Sequence, residues 1–124
     1  MKKIVFISLV FLAVLNACSK SDIDKYPQEW QLVSQMSYQE HYLLKTDGTF
    51  IKSRTVSGVT EQATGTFKVV NNDWGKTYEL TFSSISSLIE SCTIGKEVLW
   101  VKSDTKMVST WSECDGSFLE FKRL

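Results

Sequence analysis

"HYLLKTDGTFIKSRT", residues 41–55, is the stretch whose reading decides the fold. Large and polar side chains alternate through His41–Thr46 and again through Phe50–Thr55. Alternation with period two marks a half-buried strand, because successive side chains point to opposite faces. Between the runs, Asp47-Gly48 supplies the positive φ angles that a tight hairpin turn needs. The stretch predicts two antiparallel strands, and it poses a question of parity. Phe50, Lys52 and Arg54 share one face, while Ile51 lies on the other. If Ile51 packs inward, both cations stay in solvent, which avoids the cost of burying unpaired charge. If Phe50 packs inward, both cations follow it and could hold the carboxylate of a fatty-acid-like ligand.

The same pattern extends in both directions. Trp30–Met36 sets Trp30 and Leu32 against Gln31 and Gln35. Val59–Val70 reads as a longer strand bent at Gly65 by a bulge, and "NNDWG" (Asn71–Gly75) as a loop. Tyr78, Leu80 and Phe82 oppose Glu79 and Thr81. A serine-rich turn, Ser83–Ser87, leads into strand-like Leu88–Thr93, then Ile94-Gly95 turns the chain into Glu97–Lys102. Asp104-Thr105 precedes Lys106–Trp111, and "CDGS" (Cys114–Ser117) precedes Phe118–Arg123. No helical period follows Pro27. The expectation is an all-β domain of eight or nine strands, the count depending on whether Ser37–Glu40 interrupts the first. The triplets "GTF" at Gly48 and Gly65 and "GSF" at Gly116 are read as one local need, not as a duplication.

The N-terminus places the domain. Lys2 and Lys3 precede an uncharged run, Ile4–Leu15. That run falls short of the roughly 20 apolar residues a membrane helix needs, and it fits a secretory signal. "LNAC" (Leu15–Cys18) resembles the lipobox of bacterial lipoproteins, which implies a diacylglycerol on Cys18 as the new N-terminus. Several acyl chains, of the palmitate kind, give stable membrane attachment. The alternative is an ordinary signal peptide with a chance cysteine. The reading divides the chain into signal peptide 1–17, lipidated cysteine and flexible spacer 18–27, and one β domain 28–124. Asp22 and Asp24 resemble surface-export signals, so the expected location is the bacterial outer membrane or cell surface.

Charge and cysteine usage exclude several functions. The chain has 14 basic and 14 acidic residues. Losing Lys2 and Lys3 leaves two more acids than bases, with no basic run to meet nucleic acid. In an oxidising compartment Cys92 and Cys114 pair naturally as a disulfide, the alternative being two buried thiols. His41 is the only histidine, so no metal site and no cofactor is expected. Glu40 beside His41 points to the opposite face, and no serine or cysteine has a nucleophile context. The expectation is a protein that is not an enzyme.

"EWQLVSQ" from Glu29, "YLLKTDGTF" ending at Phe50, "GTFKVVNND" from Gly65, "YELTF" from Tyr78 and the terminal "LEFKRL" resemble lipocalin-like domains of small lipoproteins from Bacteroidetes-type bacteria. The resemblance implies a small antiparallel up-and-down β-barrel that binds a small apolar molecule. It also implies a first-strand tryptophan, Trp30, with Arg123 stacked on it to close the barrel. Gln28 stands where such proteins carry glycine.

A barrel of this size can hold one ligand or be filled by its own side chains. Two functions therefore stand. In the first, a tethered envelope barrel captures a small hydrophobic or amphipathic molecule, with Phe50, Lys52, Arg54, Tyr78, Phe82 and Trp111 as the lining. In the second, the barrel is filled, with Phe67, Tyr78, Phe82, Trp100, Trp111 and Phe121 in its core. It then presents loops to an envelope protein, with Trp74 as the exposed anchor unless that side chain folds back to cap the barrel end. The state of the interior discriminates between them.

Overall fold

A computed structural model of the chain describes residues 25–73 and 75–124. The expected signal peptide, Cys18, most of the spacer, and Trp74 lie outside the described residues. Eight strands follow in order: β1 (Gln28–Leu32), β2 (Gln39–Leu44), β3 (Thr49–Val56), β4 (Val59–Asn72), β5 (Gly75–Phe82), β6 (Lys96–Ser103), β7 (Lys106–Ser109) and β8 (Glu120–Arg123). Each pairs antiparallel with the next, and β8 returns to β1, so the sheet is a closed barrel. The closing seam pairs Trp30 with Arg123 and Leu32 with Phe121. Closure satisfies both edges of the sheet, which an open barrel would leave exposed for further pairing.

Parity runs as the alternation predicts. Gln28, Trp30 and Leu32 of β1 face in, as do Glu40, Tyr42 and Leu44 of β2. The β2–β3 hairpin turns at Asp47-Gly48, where Gly48 has a φ of 84° and Lys45 N–H donates to the Thr49 carbonyl. On β3, Phe50 and Lys52 face in and Ile51 faces out. The reading that left both cations in solvent is overturned.

The interior is packed. Trp30, Tyr42, Phe50, Tyr78, Leu80 and Phe121 are each 1% exposed or less. A side chain with so little accessible surface has no water-sized space beside it. Aromatic pairs interlock edge-to-face, Phe50 with Phe82 and Tyr42 with Phe121, both at 5.0 Å between ring centres. Such pairs contribute about 0.5–1.5 kcal/mol beyond the area they bury.

Several local expectations are corrected. β4 runs unbroken through Gly65, which pairs with Phe50 on one side and Phe82 on the other. The glycine is needed for close approach, since a Cβ there would lie 2.8 Å from the Phe50 ring. Of "NNDWG", Asn71 and Asn72 already belong to β4, and Asn72 pairs with Gly75. β7 stops at Ser109, and Trp111–Cys114 form a short 3-10 helix instead of strand. Leu88–Thr93 forms no strand. Eight strands already close the barrel, and these residues fold over its mouth.

Candidate functional site

The up-and-down order separates two ends. Lys25, Leu124 and the turns after β2, β4 and β6 share one end, here the terminal end. The other, the loop end, carries residues 33–38, 57–58, 83–95 and 110–119. A Cys92–Cys114 disulfide joins the two longest of these loops, with the Cα atoms 5.7 Å apart.

Under loop 83–95 lies a buried cluster of charge. Lys52 is fully buried, and its ammonium donates to Leu88 O at 2.6 Å, Glu97 Oε2 at 2.7 Å and Glu90 Oε1 at 2.9 Å. Those three bonds use every proton an ammonium has. Arg54 Nη2 lies 2.9 Å from both Glu40 Oε1 and Glu90 Oε1, and its guanidinium rests 4.4 Å from the centre of the Tyr38 ring. Tyr38 Oη donates to Glu90 Oε2 at 2.8 Å, and Tyr42 Oη donates to Glu97 Oε1. Glu90 N–H donates to Glu97 Oε2 at 2.7 Å. Glu90 thus reaches down from the loop, and Lys52, Arg54 and Glu97 of the strands, with Tyr38, hold it there.

The charges do not balance with every acid ionised: three carboxylates meet two cations. Glu40 Oε2 is buried and receives no hydrogen bond; Lys52 Nζ is 3.5 Å away with its protons spent. That oxygen is where a proton belongs. Burial and the hydrogen bond with Glu90 push Glu40 up to about 8, although Lys52 and Arg54 oppose the shift. Burial alone would raise Glu90, but its bonds from Glu40, Lys52 and Tyr38 bring it down to about 2. Lys52 is pushed down by burial, and the carboxylates of Glu97, Glu40 and Glu90 more than reverse this. No group of His, Cys, Asp and Glu among the described residues is arranged to hold a metal ion; the cluster is organised around an ammonium.

The outer surface of the loop is different. Ile85 and Ile94 are 88% and 90% exposed. With Ile89 they line an open cleft of about 250 Å³, edged by Ser86, Ser91 and Thr93 and free of charged residues. Val33, Val56, Val59 and Phe118, also exposed, belong to the same end of the barrel.

The residues expected to line a ligand are placed as follows. Phe50, Tyr78 and Phe82 face in and pack on one another or on neighbours, and Tyr78 Oη donates to Gln28 Oε1 at 3.0 Å. Lys52 and Arg54 face the mouth, already bonded to the chain's own carboxylates. Trp111 sits half-buried in the 3-10 helix, outside the strands, and packs against the core from there. Trp30 and Arg123 meet across the closing seam, where Arg123 Nη2 donates to Lys25 O. His41 faces outward, 3.5 Å from Glu29. Sequence reasoning missed Glu40, Glu90, Glu97, Leu88, Ile85 and Ile94. The available signal was parity: two inward cations on β3 demand carboxylates, and Glu40 and Glu97 share faces with Tyr42-Leu44 and Leu99-Val101.

Comparison of the chain with family models, with curated proteins and with solved structures gave no match.

Proposed function

We propose that the chain is a lipid-tethered envelope protein whose filled barrel serves as a rigid support, presenting the Ile85–Ile94 cleft to a partner protein. The observation that carries this reading is the two-sided character of loop 83–95. Its inner side is pinned by Leu88 and Glu90 to Lys52, yet its outer side exposes two isoleucines almost completely. An ordered loop that holds apolar side chains in water is a feature of contact surfaces. The packed interior supports the same reading over small-molecule capture, since the cations expected to hold a ligand's head group are taken.

Attachment through Cys18 fits this geometry. Residue 25 lies at the terminal end, where Tyr26 packs on Phe67 at 5.5 Å. Residues 18–24 would span at most about 25 Å when extended, so the terminal end faces the membrane and the cleft faces away.

A photo-crosslinking residue at position 94, set against one at Asp104 on the terminal end, tests the proposal in cells. One discrete product at position 94, lost with Ile85→Ser and absent at Asp104, is the expected result. Equal labelling at both ends, or none at position 94, would reject it.

A further inference from the structure

The cleft and the buried cluster are two sides of one loop, and that couples them. Leu88 and Glu90 belong to no strand; the loop is held by the 92–114 disulfide, by burial of the Leu88 side chain, and by bonds with Lys52, Arg54, Tyr38 and Glu97. Every titratable or charged group facing Glu40 belongs to the same set. Lys52 and Arg54 come from β3, Tyr42 from β2, Tyr38 from the β1–β2 loop, Glu97 from β6 and Glu90 from the loop itself. Two cations among three acids leave room for two negative charges, and the Glu40 oxygen without a donor marks the third acid as the one that stays neutral.

We infer that one proton, held on Glu40 and shared with Glu90, latches loop 83–95 over the barrel mouth, so that presentation of the isoleucine cleft is proton-gated. The part of this inference that concerns the cleft rests on the interaction reading above; the latch itself does not. When Glu40 loses its proton, the cluster carries a buried excess of negative charge. The bond to Glu90 becomes a repulsion between carboxylates, and Glu90 is the only acid of the three on a segment that can move away. Lys52 cannot compensate, because its three protons are committed. Placed near neutral to mildly alkaline pH by the value of about 8 for Glu40, the transition falls within the range an envelope protein meets.

Hydrogen exchange of the 83–95 segment in the full chain, measured from pH 6 to 10 and corrected for the intrinsic rate, tests the latch without any partner. In the wild type, protection of this segment should fall about tenfold per pH unit from pH 6 to about 8 and level off above, because the latched loop holds the Glu40 proton that the released loop gives up near its ordinary 4.5. Glu40→Gln keeps the site neutral and leaves an amide to donate to Glu90, so its protection should stay level to pH 10. A wild type level throughout, or a Glu40→Gln variant with the same slope, would overturn the inference. Should the variant fail to fold, carboxyl carbon resonances of the wild type give the answer. One glutamate titrating near 8, with loop amide signals changing at the same midpoint, supports the latch; titration of all glutamates near 4.5 refutes it. Because crosslinking at position 94 is a separate readout, failure of the partner reading leaves this result standing, and the reverse also holds.

Discussion

The two ends of the barrel are closed by different physics. At the terminal end, the turns at 45–48 and 104–105 are tight, and the strands' own apolar side chains meet beneath them. At the loop end, residues 33–38, 83–95 and 110–119 must be ordered as well, and ordering backbone costs roughly 1–2 kcal/mol per residue. Apolar burial supplies part of the offset through Leu88 and Leu119, each 1% exposed. The rest comes from a network in which every charge depends on another. Apolar packing degrades gradually and does not respond to pH. A buried ion network is all-or-none, because removing one member leaves its partners uncompensated in a medium that solvates them poorly.

That contrast can be broken by substitution. Lys52→Met should have the largest effect, about 3–5 kcal/mol of stability near pH 7. The loss should lessen as the pH falls and the orphaned glutamates take up protons. Leu44→Ala, at the terminal end, should cost about 2–5 kcal/mol with no dependence on pH between 5 and 9. Urea unfolding of both variants across that range decides it; a Lys52→Met penalty insensitive to pH would erase the distinction. Opening the disulfide by Cys92→Ser with Cys114→Ser should cost about 3 kcal/mol from loop-closure entropy. Proteolysis should then fall first on loops 83–95 and 110–119, leaving the terminal-end turns intact.

Unfolding of the wild type against pH sharpens the comparison further. Glu40, held above its ordinary 4.5, gives its full stabilisation below 4.5 and loses it as the pH rises through about 8. Glu90, held at about 2, gives its full contribution above 4.5 and loses it as the pH falls toward 2. Stability contributed by this pair therefore peaks near pH 4.5 and declines toward both acid and alkali. In Glu40→Gln the alkaline decline should be gone. The smallest effect belongs to Ile85→Ser and Ile94→Ser, which should change stability by no more than about 0.5 kcal/mol. Their cost should appear instead as lost crosslinking at the loop end.

Much of the architecture was legible because strand parity is a local property. Asp47-Gly48 fixed a hairpin, and the alternations around Trp30, Tyr78 and Phe121 identified strands that close in sequence order. Gly65 misled, since glycine permits both a bulge and the close approach of the Phe50 ring. Leu88–Thr93 misled for a different reason. Its alternation is real, with Leu88 and Glu90 inward and Ile89 outward, but it serves a plug and not a ladder. The candidate site stayed hidden because its parts lie on β2, β3, β6 and a loop. The bias against burying Lys52 considered it alone, and its carboxylate partners are 12, 38 and 45 residues away along the chain.

In the proposed function the chain fills its own barrel and binds through its outer loop surface. Native mass spectrometry of the disulfide-bonded protein, before and after incubation with a long-chain fatty acid, tests it most directly. The mass should be that of the covalent chain alone, unchanged by the fatty acid. A stoichiometric adduct released on denaturation, and lost in Lys52→Met folded to the same extent, would contradict the claim and make the barrel a carrier.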